Sequence, residues 1–134
     1  MNSVYRVAKN GTIYAIFVGA DMKVDPLTFV TDQKDEFQVG VMERDAGYEV
    51  KPHMHPDRNV TIKGTAEFLY VQEGKMNVTV YDEAWNVLHE QEVTTGDCMV
   101  FLAGGHSMNM TEKTRLIEVK QGPYPGEKEA KVYK

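Results

Sequence analysis

Short β-type runs separated by turn residues recur along the whole chain, and this pattern constrains the fold more than any other feature. No stretch of a dozen residues places apolar side chains at the three-and-four spacing of an amphipathic helix. We predict strands over residues 12–18, 37–44, 48–53, 59–63, 67–72, 76–81, 87–93, 98–102, 107–110 and 115–119. Many short strands with turns between them predict an all-β sandwich or barrel.

Turn residues support this reading and show no break between domains. Glu73-Gly74-Lys75 and Thr95-Gly96-Asp97 predict tight turns, and residues 82–86 a longer connection. No internal repeat is visible, so we predict a single domain over residues 1–134. The proline-containing tail, residues 121–134, is predicted either to clamp over the domain surface or to fray.

Composition narrows the functional class. The chain has 15 basic and 20 acidic residues, which argues against a nucleic-acid or anionic-membrane surface because both call for basic patches. No segment approaches the ~18 apolar residues of a membrane span. Cys98 is the only cysteine and lies in an apolar run, so we expect a buried packing role and a cytoplasmic location. The functional classes that remain are an enzyme and a protein that binds a small molecule or another protein.

The segment His53-Met54-His55 carries the strongest chemical signal. Alternate residues of a strand point to the same face, so the two imidazoles would project together while Met54 points away. Two neighbouring imidazoles on an extended segment supply half of a metal site. The alternative is a polar strand end.

Glu67 and His106 complete the candidate set. Glu67 shares its strand face with Leu69 and Val71, so it faces the core if they do. A carboxylate among apolar side chains is costly unless it is paired or binds a metal, and the histidines are natural partners. The alternative for His106, which follows two glycines, is an ordinary turn histidine.

These residues resemble the first motif of the cupin superfamily, small β-barrels of jelly-roll type. That motif is Gly, five residues, His-x-His, three or four residues, Glu, six residues, Gly. Gly47 with His53-Met54-His55 matches its front, and Glu67 with Gly74 matches its back. Eleven residues separate His55 from Glu67, so Glu49 or Asp57 is an alternative carboxylate.

The second cupin motif is Gly, five residues, Pro-x-Gly, two residues, His, three residues, Asn. Gly96 and Gly104 match, Leu102 replaces the proline, His106 comes one residue early, and Asn109 follows it at a shorter spacing. The resemblance covers about residues 40–120, which would form the barrel core. Strands in residues 1–39 would precede that core.

Residues 65–71, 96–97, 103–106 and 118–124 are also similar to a group of small bacterial cupins found beside surface-polysaccharide or sugar-nucleotide genes. The resemblance implies a cupin-type jelly-roll barrel (a double-stranded β-helix) with one divalent metal ion held inside it by His53, His55, Glu67 and His106. Three imidazoles and one carboxylate suit Fe, Mn, Ni, Co or Zn and leave one or two exchangeable positions. The resemblance names neither the metal nor the reaction.

Four further residues are candidates for binding a substrate. Arg58 and Lys63 lie in the insertion and could hold a phosphate or carboxylate. Tyr48 and Tyr70 could stack on a sugar or act as acids. The alternatives are solvated charges for the first two and core or interface packing for the tyrosines.

Three functions follow. The first is a metal-dependent isomerase, lyase or dioxygenase acting on a small sugar-like or acidic substrate. The second is a non-catalytic module that binds a small molecule or sugar. The third is a metal-free sugar-nucleotide epimerase or ketoisomerase, a reaction that some cupins perform with a histidine and a tyrosine. Exposed edge strands also predict a homodimer.

Overall fold

The computed structural model describes residues 3–134, which consist almost entirely of antiparallel strands. The predicted all-β class is confirmed. The described chain contains ten strands and one short helix: β1 Val4–Lys9, β2 Thr12–Val18, β3 Leu27–Phe29, β4 Gly40–Met42, β5 Glu67–Glu73, β6 Lys75–Tyr81, β7 Val87–Thr94, β8 Cys98–Phe101, β9 Gly105–Met110, β10 Arg115–Lys120 and α1 Glu127–Ala130.

The chain divides into two compact units. Of the described residues, the larger comprises 3–22 and 65–134, and the smaller comprises 23–64. The prediction of one cupin domain over residues 1–134 stays a prediction. Over residues 3–134, no helix has the length and apolar composition needed to cross a membrane.

The larger unit is built from two antiparallel sheets that share one core. Five strands lie in the order β1-β2-β8-β5-β10, and three in the order β7-β6-β9. Alternation along β6 places Met76, Val78 and Val80 on one face, and all three are fully buried. The core also contains side chains from both sheets: Val7, Tyr14, Ala15, Phe17, Leu69, Val71, Val93, Met99 and Phe101.

Strand β2 is apolar along most of its length because it is buried on both faces. Ala15 and Phe17 face the shared core, and Ile16 on the opposite face is 1 % exposed. On β8, Cys98 is half-buried, and burial raises the pKa of its thiol to about 11. Such a thiol is largely protonated at neutral pH, in keeping with the predicted packing role.

The structure of the smaller unit differs from three of the predicted strands. It contains only the β3–β4 hairpin, so the strand predicted over 37–44 shortens to Gly40–Met42 and those over 48–53 and 59–63 are wrong. Pro52 and Pro56 cannot donate to a strand ladder, and every side chain from residue 42 to 65 is exposed. With no apolar face to bury, these residues have nothing to stabilise pairing. Strands β1 and β3 were not predicted.

The carboxy-terminal tail contacts its own unit at both ends, which favours the prediction that it clamps over the domain surface. The Gln121 side-chain oxygen accepts a 2.9 Å hydrogen bond from the Ala66 backbone N–H. At the other end, Lys134 Nζ lies 5.4 Å from the centroid of the Tyr81 ring, within range of a cation–π contact. No strand forms beyond residue 120 of the described chain.

A buried carboxylate organises the loop between β6 and β7. Asp82 accepts a 2.6 Å bond from Lys9 Nζ and further bonds from the backbone N–H groups of Ala84 and Asn86. The Lys9 bond and then those of Asn86 hold the pKa of Asp82 well below its usual range, although burial opposes this shift. Because Lys9 belongs to β1, the contact ties the loop to the edge of the five-stranded sheet.

We expect the Asp82→Asn variant to be less stable than the parent at neutral pH, and the difference to shrink on acidification. A carboxylate whose pKa is lower in the folded state than in the unfolded state stabilises the fold at pH values above its unfolded-state pKa. That stabilisation is lost as the pH falls toward the folded-state pKa. Thermal unfolding between pH 7 and pH 3 measures the difference, with exposed Glu90→Gln as control. A gap that stays constant with pH would contradict this account.

Strand β10 is an edge strand, and it is the place to test the predicted homodimer. Ile117 and Val119 are 47 % and 48 % exposed, on the face opposite Leu116. We expect Ile117→Lys with Val119→Lys to reduce dimer content in light scattering coupled to size-exclusion chromatography. Val87→Lys on edge strand β7 is the matched control. A parent chain that is monomeric at every concentration tested would overturn the dimer prediction.

Candidate functional site

The larger unit brings Glu67 and His106 together. His106 Nε2 lies 3.1 Å from Glu67 Oε2, and the two side chains are only 24 % and 14 % exposed. Glu67 begins β5 in the five-stranded sheet and His106 lies on β9 in the three-stranded sheet. The contact therefore joins the two sheets through polar groups beside their shared apolar core.

Strand alternation positions the Glu67 carboxylate. Leu69 and Val71 are buried in the core, and Glu67 shares their face of β5, as predicted. The bond from Ala66 N–H to Gln121 fixes the backbone immediately before Glu67. The carboxylate therefore has a restricted position at the rim of the core.

A glycine pair positions the His106 imidazole. Gly104 has φ +65°, and a Cβ there would collide with the Tyr81 carbonyl oxygen. A Cβ on Gly105 would lie 2.7 Å from the Trp85 ring. The next residue, His106, stacks on the buried Phe101 ring with centroids 3.9 Å apart and planes 12° apart. The imidazole is thus held on its face by Phe101 and at Nε2 by Glu67.

Two further charged side chains surround Glu67. Lys120 Nζ lies 3.7 Å from Glu67 Oε1 and 3.7 Å from Glu118 Oε1. The bond from His106, followed by the charges of His106 and Lys120, lowers the pKa of Glu67, although burial opposes the shift. Glu67 is therefore an anion at neutral pH.

The smaller unit brings His53 and His55 together. Their ring centroids lie 5.2 Å apart and their planes are tilted by 73°. His53 Nδ1 lies 2.7 Å from the Lys51 carbonyl oxygen, which can only accept a hydrogen bond. Nδ1 therefore carries the proton, and a neutral His53 has its lone pair at Nε2. Such a bond to the second ring nitrogen is typical of metal-binding histidines.

The candidate substrate residues are dispersed. Arg58 is exposed, and the Lys63 backbone N–H donates to the Glu36 carboxylate. Tyr70 lies on the face of β5 opposite Glu67, so the structure does not bring it to the Glu67–His106 pair. Tyr48 stacks under the Arg44 guanidinium at 4.6 Å.

The Arg44–Tyr48 stack lines a cavity of about 770 Å³ within the smaller unit. Its walls mix carboxylates with apolar groups: Val24, Asp25, Pro26, Met42, Glu43 and Asp45. Sequence reasoning did not find this cavity, because its lining comes from two segments, residues 24–26 and 42–48, that no motif links. The alternative carboxylates Glu49 and Asp57 are both exposed in the same unit.

The predicted metal ligands form one pair in each unit, Glu67 with His106 in the larger and His53 with His55 in the smaller. Over residues 3–134, no three His, Cys, Asp or Glu side chains are grouped closely enough to hold a metal ion. Sequence reasoning missed Phe101 and Lys120, the two neighbours of Glu67. Each is its register partner on a flanking strand, so only the strand order reveals them.

The chain matches no protein-family model, and no curated protein or solved structure is significantly similar to it.

A carboxylate bonded to an imidazole has two chemical uses. The carboxylate can orient the ring and stabilise its protonated form, which makes a general acid–base pair. Alternatively, the Glu67 oxygens and an imidazole nitrogen can both bind a divalent cation. Both uses need a pair that is partly exposed to solvent and lies on rigid strands, as Glu67 and His106 do.

We expect His106→Phe to raise the pKa of Glu67 toward its ordinary value. The substitution keeps the aromatic stack on Phe101 but removes the hydrogen-bond donor that chiefly lowers that pKa. Carboxyl carbon chemical shifts followed by NMR against pH measure the change. Lys120→Gln should give a smaller rise, because the Lys120 charge ranks below the His106 bond as a cause. An unchanged Glu67 pKa in His106→Phe would contradict the assigned contact.

Proposed function

We propose that this protein is a small metalloprotein of the cupin type, which binds one divalent ion through His53, His55, Glu67 and His106. In this proposal the ion serves to bind and activate a small sugar-like or acidic substrate. The observation that carries it is the half-buried Glu67 carboxylate bonded to His106 at the edge of the shared core.

The topology of the larger unit supports the jelly-roll part of the proposal. Successive strands pass between the two sheets: β5 and β8 lie in the larger sheet, whereas β6 and β9 lie in the smaller. Strand β2 pairs with β8, which is distant in sequence. Two antiparallel sheets joined by such crossovers are typical of Greek-key and jelly-roll folds.

The donor chemistry supports a metal at these residues. His53 has a free Nε2 lone pair in its neutral form, and Glu67 is held as an anion. Imidazole and carboxylate donors suit Fe, Mn, Ni, Co or Zn. His53 and His55 belong to the smaller unit, and Glu67 and His106 belong to the larger.

At such a site, the side chains of the larger unit would have separate roles. A bound divalent ion supplies Lewis-acid polarisation of a substrate oxygen. His106 holds a proton at Nε2 when it donates to Glu67, and that proton must leave before Nε2 can bind a metal. The buried Phe101 ring fixes the imidazole plane and excludes water from one side of it.

The same pair favours a second candidate, acid–base catalysis without a metal. Carboxylate–imidazole pairs orient the ring and stabilise its charged form, which epimerases and isomerases need for proton transfer. The observation in favour is the 3.1 Å contact between His106 Nε2 and Glu67 Oε2. A third possibility, a binding module, uses the same groups without turnover.

Metal analysis of the purified, tag-free chain decides between the metal-binding and the metal-free candidates. We expect about one equivalent of metal in the parent, and its loss in a His53→Ala, His55→Ala double variant and in Glu67→Gln, since each removes direct ligands. His89→Gln is the matched histidine control, because His89 stacks on Tyr5 and bonds to Gln91 instead.

The outcomes separate the candidates. If the parent neither carries nor takes up Fe, Mn, Ni, Co or Zn, the metal proposal fails and acid–base catalysis moves ahead. Turnover of a sugar nucleotide in the presence of a chelator, abolished by His106→Phe, would establish that alternative.

A further inference from the structure

We propose that residues 59–63 of one copy of this chain add as an antiparallel strand to the free edge of β10 in a second copy, so that two copies exchange strands. The segment Asn59-Val60-Thr61-Ile62-Lys63 and the edge that it would occupy both belong to this chain. Each copy would therefore give one segment and receive one. The exchange is independent of the proposed metal function, because it involves neither the Glu67–His106 pair nor an ion.

Residues 59–63 have the composition of a strand but pair with no strand of the described chain. Val60, Thr61 and Ile62 are β-branched, and Val60 and Ile62 share one face because side chains alternate. Those two side chains are 57 % and 43 % exposed. Over residues 3–134, no hydrogen bond reaches the backbone of residues 59–62, and Lys63 N–H donates to the Glu36 side chain. The segment therefore has unused backbone donors and acceptors and an unburied apolar face.

Strand β10 offers the complementary surface. It is the last strand of its sheet, so one edge of its backbone faces no other strand of the described chain. Ile117 and Val119 are exposed on the face that also carries their register partners on β5, Tyr70 and Phe68. A strand added at this edge would continue that apolar row, which is how an extended segment binds a sheet edge with both its backbone and its side chains.

The polar face of the segment favours the antiparallel direction. In either direction, the two apolar side chains of the segment can stand beside Ile117 and Val119. Parallel pairing then puts Lys63 beside Lys120, and the like charges repel. Antiparallel pairing moves Lys63 to the other end of β10, where it lies diagonal to the carboxylate of Glu118.

Chain connectivity excludes this antiparallel strand within one copy. Lys63 would stand opposite Leu116, whereas Glu67 stands on the far side of β10, opposite Lys120 at its other end. Four residues of β10 and two strand spacings separate these places, roughly 16 Å. The chain from Lys63 to Glu67 spans at most about 14 Å. A second copy removes the conflict, because a two-fold axis can set its β10 in the opposite direction.

Charge also favours a copy of this chain as the partner. Residues 48–63 carry three basic and two acidic side chains, whereas the whole chain has 15 basic and 20 acidic residues. A segment of net positive charge is thus attached to an otherwise acidic molecule, so it is attracted to a second copy. The exchange closes after two copies, since the free edge of β10 is then occupied in both.

A disulfide between the two strands tests the pairing in the full chain. Thr61→Cys and Glu118→Cys stand opposite one another in the antiparallel register and are combined with Cys98→Ala, so that no other thiol is present. We expect mild oxidation to give a covalent dimer on a non-reducing gel, with a bridge between positions 61 and 118 found by mass spectrometry. Thr61→Cys with exposed Lys113→Cys is the matched control and should give no such dimer.

Charge substitutions on the two faces of the segment give a second test. Ile62→Lys should raise the dimer dissociation constant by about tenfold or more, because it puts a charge in the apolar row. Thr61→Lys adds the same charge on the opposite face, beside Glu118, and should dimerise at least as tightly as the parent. Sedimentation over a concentration series measures both, with circular dichroism to verify folding.

Three results would overturn the exchange. The first is a bridge between positions 61 and 118 within one chain, which would mean that the segment pairs in its own copy. The second is the absence of that bridge although both thiols react with a labelling reagent. The third is equal dimerisation of Ile62→Lys and the parent, or a parent that is monomeric throughout the concentration series.

Discussion

The position of the Glu67–His106 pair follows from the free-energy cost of placing a carboxylate beside an apolar core. Glu67 shares a strand face with Leu69 and Val71, so packing those two side chains forces the carboxylate to the same side. Isolated there, it would lose hydration without replacement. His106 from the opposite sheet and Lys120 from the neighbouring strand supply partners, so the contact that offsets this cost also joins the sheets.

A second polar cluster supports that contact from the β6–β7 loop. Asp82 holds the loop to β1 through Lys9, and its backbone carbonyl accepts a 3.0 Å bond from Trp85 N–H. The Trp85 ring lies where a Cβ on Gly105 would stand, so loop and glycine fit one another. Gly105 immediately precedes His106. An electrostatic contact at the sheet edge thus helps to fix the imidazole at the site.

Sequence reasoning succeeded where one strand buries one face. The alternation in β5 and β6 predicts which side chains face the core, and it placed Glu67 beside Leu69. It failed over residues 43–65, where β-forming residues are present but no apolar face is buried. It also missed Lys120, because a register partner depends on which strands become neighbours. Local periodicity gives side-chain direction, whereas pairing depends on the whole topology.

The existing contacts of Glu67 also bear on how tightly it could hold a metal. Its carboxylate already has a hydrogen-bond donor in His106 and a cation in Lys120, so the fold does not need an ion to compensate its burial. A divalent ion would exchange these contacts for coordination bonds, and only the difference would appear as affinity.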